Sequence, residues 1–284
     1  MATIGRDDRL TKFEDIPALR RSSLVSELRA IQKHAEPVEK AHEWADDLLC
    51  LRREASHGNR FRKVLNRGRR RKFIAVSWTR QPSVHEKSSD GKYSVLSPRR
   101  VKFGKTVEQR DALHIRNSVL DRTVKYLEAH DIDIFWIDKA CIDQANPIKQ
   151  AEAINSMDLV YKNATQTVGL LSTPIYSCTG AQLLANLLDG DLSFEDNAGH
   201  FHFCPDICTE TMSKVIHILE DLTSDGWWDR AWIYQEEYLS GLRMDLLIPV
   251  KPGVRVPGRY GEIAGEFCAQ ATRFREQATI FLLA

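Results

Sequence analysis

Residues 73–78 read Phe-Ile-Ala-Val-Ser-Trp, a short apolar run of the kind that forms a buried strand. Residues 134–138 read Ile-Phe-Trp-Ile-Asp and predict a second strand of the same type. Between them, residues 81–104 are polar and rich in turn formers, and apolar residues then follow at helical spacing from Leu113 to Leu127. This order predicts a strand, helix, strand unit.

The next segments repeat that alternation. Asn146 and Pro147 form an N-cap with proline at the first helical position, which predicts a helix through Ala164. Apolar runs at residues 167–171 and 244–250 predict two further strands. Strands that alternate with helices predict an α/β fold, in which a parallel sheet of about five strands is covered by helices on both faces.

The flanking segments differ in composition from this alternating core. Residues 13–58 have helical periodicity, and residues 60–72 contain eight basic side chains and no acid, which indicates a solvated linker or a phosphate-binding arm. Residues 172–208 are rich in Gly, Asp, Ser and Cys and indicate an insertion, and residues 262–277 predict a last helix. We therefore predict an N-terminal helical extension with a basic linker over 1–72, the main domain over 73–250 and a C-terminal helical segment over 251–284.

Composition excludes several classes of protein. The chain has 284 residues, 43% of them hydrophobic, and a formal net charge of +1, so neither a uniformly basic nucleic-acid binder nor a membrane-surface protein is expected. Its apolar runs are far shorter than the roughly 18 residues that cross a bilayer. Charged residues near Met1 and six irregularly spaced cysteines, predicted to be free thiols, favour a cytoplasmic protein.

The ends of the predicted strands carry candidate site residues. In open α/β sheets, ligands bind beyond the carboxyl ends of the strands, where Ser77 and Asp138 lie. Glu236 follows Trp232 by one helical turn in a tryptophan-rich segment, which also places Trp228 and Gln235 near one predicted helix face. A carboxylate beside tryptophan suits chemistry at an electron-poor carbon. The same spacing also fits a glutamate on a helix surface. Likewise, Asp138 at a strand end either binds substrate or caps the turn that follows.

A group of histidines and cysteines and one further cysteine each have alternative explanations. The side chains of His200, His202, Cys204 and Cys208 contain zinc-binding groups, although their spacing matches no standard finger and alternating His and Phe also fits a half-exposed strand. Cys141 follows a predicted strand end, where it would serve as a nucleophile or as an inert buried thiol. No complete phosphate loop or dinucleotide fingerprint is present.

Three blocks of the sequence resemble, in order, the signature blocks of the fungal heterokaryon-incompatibility (HET) domain. They lie at residues 74–78, 135–144 and 228–236, and the resemblance covers roughly residues 73–240. The first block departs from the family pattern, because Ser77-Trp78-Thr79-Arg80 lacks its usual tyrosine and glycine. The resemblance implies a fungal cell-death or incompatibility protein that forms homo-oligomers on activation and responds to an upstream sensor.

HET domains are in turn distantly similar to TIR domains, which have a flavodoxin-like sheet and in many cases cleave NAD with a glutamate four residues after a tryptophan. The resemblance implies that Glu236 is catalytic, with NAD as substrate and with neither cofactor nor metal. The substrate-binding residues that it implies are Ser77, Trp78, Asp138, Asp143, Gln144, Arg230, Trp232 and Gln235.

Two functions remain open at this point. The first is hydrolysis of a nucleotide such as NAD, whose cationic nicotinamide leaves without the general acid that ordinary glycosides need. The second is a non-enzymatic module that associates with itself and triggers cell death by recruiting partners. Nucleic-acid binding through residues 60–72 is a weaker alternative, because the chain as a whole is nearly neutral.

Overall fold

The computed structural model describes residue 45 and residues 47–54, 59–67, 71–86, 89–100, 106–230 and 232–284. The described strands are β1 (Asp47–Arg53), β2 (Arg60–Arg67), β3 (Ile74–Ser77), β4 (Ser94–Arg100), β5 (Thr106–Ala112), β6 (Ile134–Trp136), β7 (Gln166–Leu170), β8 (Ser193–Glu195), β9 (Phe201–Phe203), β10 (Met244–Pro249) and β11 (Glu266–Gln270). The described helices are α1 (Asn117–Ala129), α2 (Asp138–Cys141), α3 (Pro147–Asn155), α4 (Met157–Asn163), α5 (Cys178–Asp189), α6 (Thr209–Thr223), α7 (Ile233–Ser240) and α8 (Ala271–Leu283). In this part of the chain, no helix has the length and apolar character needed to span a bilayer.

The main sheet is mixed rather than parallel. Its nine strands lie in the order β11-β10-β7-β3-β6-β1-β2-β4-β5. The four strands β10, β7, β3 and β6 pair in parallel, as predicted for the alternating core. On either side, β11 and β1 join antiparallel, so the predictions of an all-parallel sheet and of about five strands are wrong.

Helices cover both faces of the sheet and complete a three-layer α/β fold, which confirms the predicted class. Neighbouring residues of a strand point to opposite faces. Accordingly, Leu247 of β10 belongs to one buried core, whereas Leu246 and Ile248 belong to the other. The first core includes side chains of α1, α3 and α4, and the second includes side chains of α5, α6 and α8.

Part of the predicted N-terminal extension belongs to this sheet. Strands β1 and β2 form an antiparallel pair over Asp47–Arg53 and Arg60–Arg67, so the predicted helix is wrong from Asp47 onward. The predicted linker is wrong over Arg60–Arg67, because Phe61 is fully buried while Arg62 forms ion pairs on the outer side. A half-buried strand with charged outward residues has the same composition as a linker. Residues 1–44 and 68–70 lie outside the described part, and the three segment boundaries stay a prediction.

The C-terminal half also differs locally from the sequence prediction. Residues 172–208 contain α5 and the β8–β9 hairpin, and Leu184 and Leu188 of α5 are buried in the second core. The helix predicted over residues 262–277 is wrong in its first half, because β11 precedes α8. Phe267 and Ala269 alternate with more exposed residues, which is the pattern of a strand.

Candidate active site

A cleft of about 490 Å³ opens at the carboxyl ends of β3 and β6. Its lining includes Trp78 and Arg80 after β3, Asp138 after β6, and the segment that leads into α7. Because β3 and β6 are parallel, their carboxyl ends lie at the same edge of the sheet. Ser77 and Asp138, which the sequence places at strand ends, therefore lie at the same edge of the sheet as the cleft.

Glu236 lies at the inner wall of the cleft rather than on the surface. It is in the first turn of α7, and its side chain is only 1% exposed. Arg230 Nη2 donates to Glu236 Oε1 at 2.7 Å, and Arg230 Nη1 donates to Oε2 at 3.1 Å. The carboxylate is thus held by a forked, charge-assisted pair with little solvent around it.

Ser77 completes this pair from the end of β3. Its hydroxyl donates to Glu236 Oε2 at 2.5 Å and accepts from Arg230 Nη1 at 2.6 Å and from Trp227 Nε1 at 2.9 Å. A hydroxyl has one donor and two acceptor positions, so all three positions of Ser77 are used. The serine therefore orients Glu236 and Arg230, and it has no free lone pair with which to attack a substrate.

Tyr161 of α4 lies beside the same carboxylate. Burial and the negative charge of Glu236 raise the pKa of its phenol well above the usual value. The phenol is therefore neutral at physiological pH and presents an O–H group toward Glu236.

Asp138 organises the opposite wall of the cleft. It accepts from Trp78 Nε1 at 2.8 Å and from Arg80 Nη2 at 2.8 Å. Arg116 lies over the Trp78 ring, 5.3 Å from its centroid, and donates to the backbone carbonyl of Arg80 at 2.7 Å. The indole and the guanidinium of Arg80 are thus fixed at the rim by groups from three segments.

The turn that carries Trp227 is fixed by a second buried carboxylate. Asp225 accepts from the backbone N–H of Trp227 at 2.9 Å and from the backbone N–H groups of Ser172 and Thr173, each at 2.7 Å. Burial alone raises the pKa of this carboxyl, but the backbone hydrogen bonds outweigh it and hold the pKa below its usual value. The ionised Asp225 therefore positions the indole that reaches Ser77.

The structure brings together seven of the nine predicted site residues. Trp78, Asp138, Gln144, Arg230, Trp232 and Glu236 line the cleft, and Ser77 contacts Glu236 behind them. The other two lie elsewhere: Asp143 lines a different cavity, and the side chain of Gln235 is exposed and is not part of the cleft lining. The catalytic and binding roles assigned to these residues stay predictions.

The predicted common face of Trp228, Trp232, Gln235 and Glu236 is wrong. Helix α7 begins only at Ile233, so the 3.6-residue spacing does not extend back to Trp228. The indole of Trp228 instead stacks on Phe274 and donates to the carbonyl of Leu222. Trp232 remains 44% exposed at the cleft, where its ring is available to a ligand.

The structure also separates the alternatives for the cysteines and histidines. Cys141 is buried, and burial raises the pKa of its thiol to about 12, which is the behaviour of an inert thiol. The half-exposed strand predicted for His200–Cys204 is present as β9, and His202 Nε2 lies 2.9 Å from Asp196. Among the described residues, no group of three or more His, Cys, Asp and Glu side chains is arranged to hold a metal ion.

Several residues of the site were not found by sequence reasoning. Trp227 donates to Ser77 and Tyr161 lies beside Glu236, and Arg80 and Arg116 build the rim. Trp227 was visible only as one of several tryptophans, and the other three had no distinguishing pattern. Their positions depend on which strands and helices become neighbours.

The fold and site together define an α/β domain with a buried carboxylate–arginine pair in a cleft at the carboxyl ends of its parallel strands. Residues 73–236 match the family model for the heterokaryon incompatibility protein (HET), and this match covers more than half of the chain. The chain therefore belongs to the HET family, and membership supports a role in heterokaryon incompatibility and cell death. No curated protein and no solved structure matches the chain.

Proposed function

We propose that this HET protein acts by hydrolysing the glycosidic bond of NAD or a related nucleotide in the cleft. The observation that carries the proposal is the position of Glu236, a buried carboxylate at the cleft wall beside the half-exposed ring of Trp232. Among the described residues that line the cleft there is no serine or cysteine, and nearby the Ser77 hydroxyl is saturated and the Cys141 thiol is buried.

The reaction needs only one carboxylate. The bond between the nicotinamide nitrogen and the anomeric carbon of ribose breaks, and its electron pair moves to the cationic ring, which becomes neutral nicotinamide. Glu236 offsets the positive charge that develops on the ribose. Water then adds its oxygen to the anomeric carbon and releases a proton, so ADP-ribose and nicotinamide are the products.

Arg230 must change partner for this step. A carboxylate has about four acceptor positions. Ser77 and Arg230 use three of those on Glu236, and the phenol of Tyr161 donates to the same carboxylate, so all four are used. In the proposal, the pyrophosphate of the substrate draws Arg230 away and frees the carboxylate toward the ribose. Arg80, whose side chain is 58% exposed at the rim, provides a second cation for the phosphates.

Glu236→Gln is expected to abolish nicotinamide release from NAD, with a loss of at least about 100-fold in turnover, because the amide cannot offset charge on the ribose. The measurement is product release by concentrated purified protein. Glu237→Gln is the matched control, since Glu237 pairs with Arg275 and does not line the cleft. Equal turnover in the wild type and the Glu236→Gln variant, with both folded, would reject the proposal.

A second candidate is a non-enzymatic module that associates with itself. It is favoured by the same saturation of Glu236, which is what a purely structural ion pair shows, and by exposed apolar side chains on and after α7. Tyr234, Tyr238 and Leu242 are 68%, 85% and 73% exposed. For this function, cell death persists in Glu236→Gln and is lost in Tyr238→Glu. Hydrolysis instead predicts that cell death is lost in Glu236→Gln, and a toxicity assay on that variant separates the two functions.

A further inference from the structure

A second cavity, of about 780 Å³, is lined by Lys139, Ala140 and Cys141 of α2, whereas Asp138 of the same helix lines the cleft. Its lining includes Leu49 of β1, Val95 of β4, the segment that follows β5, and the connection from α2 to α3. Leu113, Ile115 and Ile142 give it an apolar lining and are each less than 10% exposed. Neither the proposed hydrolysis nor the alternative function uses this space.

Three lysines surround the apolar lining. Lys63, Lys139 and Lys149 all line the cavity, and within the described ranges none of them forms an ion pair. Elsewhere, Lys92 and Lys214 each bind a carboxylate. Asp143 and Glu152 also line the cavity, so the lysines outnumber the acids by three to two.

We propose that this cavity is a second ligand site, which binds a small organic anion with an apolar or aromatic body. Ligand pockets combine a mainly apolar lining with a few polar groups that fix orientation. Ammonium groups that lack a carboxylate partner around a concave, low-dielectric surface attract an anion more strongly than they would on a flat surface. The apolar lining selects an organic body over an inorganic ion.

The cavity and the cleft share part of one wall. Ile142 and Gln144 line both of them, and Gln144 Nε2 lies 3.4 Å from the carbonyl of Asp138. A bound probe must therefore be assigned to one cavity by substitutions that reach only one of them. Lys139 and Ala112 line the second cavity alone, whereas Trp232 lines the cleft alone.

The probe is 8-anilinonaphthalene-1-sulfonate, compared with its uncharged analogue N-phenyl-1-naphthylamine, in fluorescence titrations of the full chain. The native protein is expected to bind the sulfonate at one site, about tenfold more tightly than the uncharged analogue. Lys139→Glu is expected to weaken binding of the sulfonate by about tenfold and to leave binding of the uncharged analogue unchanged. Lys72→Glu makes the same charge change at an exposed residue outside both cavities. This variant is expected to bind both probes as tightly as the native protein does.

A charge-independent variant completes the test. Ala112→Trp fills the cavity from the exposed end of β5 and is expected to exclude both probes, while Trp232→Ala leaves both bound. Thermal unfolding checks that each variant is folded. The proposal is overturned if the native protein does not bind the sulfonate, or if Lys72→Glu weakens sulfonate binding as much as Lys139→Glu does. It is also overturned if Trp232→Ala abolishes sulfonate binding and Ala112→Trp does not.

Discussion

Arg230→Met is expected to lower the free energy of unfolding by about 3 kcal/mol, because it leaves the carboxylate of Glu236 buried without its cation. The acid is 1% exposed and Arg230 is 23% exposed, so water replaces little of the lost interaction. Removal of one partner from a buried pair costs about 3–5 kcal/mol in other proteins. The partial exposure of Arg230 places the expected value at the lower end. Chemical denaturation at pH 7 measures it.

The matched control for this prediction removes both charges. The double variant Arg230→Met, Glu236→Met is expected to be more stable than Arg230→Met alone, since no unpaired charge remains in the site. If Arg230→Met unfolds at the same denaturant concentration as the wild type, the carboxylate of Glu236 is solvated and the prediction is wrong.

Gly169→Ala is expected to destabilise the protein by about 3 kcal/mol through overpacking. A Cβ atom at this position of β7 would lie 2.5 Å from Cζ2 of Trp227 and 3.0 Å from Cδ2 of Leu246. Trp227 is fully buried, so its indole has little space into which to move. Any such movement would also lengthen its hydrogen bond to Ser77. The substitution therefore acts on the site through the ring that positions Ser77. Thermal unfolding measures its effect on stability.

Gly226→Ala is the control, because a Cβ there would meet no atom within 4 Å. Its stability is expected to stay within about 0.5 kcal/mol of the wild type. Trp227→Phe replaces the indole with a smaller ring and so relieves the collision with a Cβ at residue 169. The double variant Gly169→Ala, Trp227→Phe is therefore expected to be less destabilised than the sum of the two single changes. Strict additivity would show that the contact between residue 169 and the indole is not the cause.

The elements that the sequence predicted correctly are those whose pattern is local. The buried strands β3, β6, β7 and β10 were visible as short apolar runs, and parallel strands buried on both faces are typically continuous apolar runs. The start of α3 was visible in Asn146, whose Oδ1 accepts from the backbone N–H groups of Ile148 and Lys149. The parallel strands β3 and β6 end at the predicted site, which is why Ser77 and Asp138 could be placed at one edge of the sheet.

The prediction failed where the same residues fit two environments. Strand β2 carries the composition of a solvated linker, and only its pairing with β1 and β4 buries Phe61. The segment at Trp227 and Trp228 has the spacing of a helix, but it forms a turn whose backbone donates to Asp225, and α7 begins only at Ile233. The pairing of β2 with β4 and the contact of Asp225 with Ser172 join residues far apart in the chain, so no local pattern records them.

The sequence by itself determined the α/β class, the family and the identity of the acid at residue 236, because these depend on runs and spacings within short segments. Only the tertiary structure decided that this acid is buried, paired with Arg230 and held by Ser77. Residues 77 and 236 are 159 positions apart, and their contact exists only after β3 and α7 have packed on the same end of the sheet. The chemistry available to the site follows from that long-range packing.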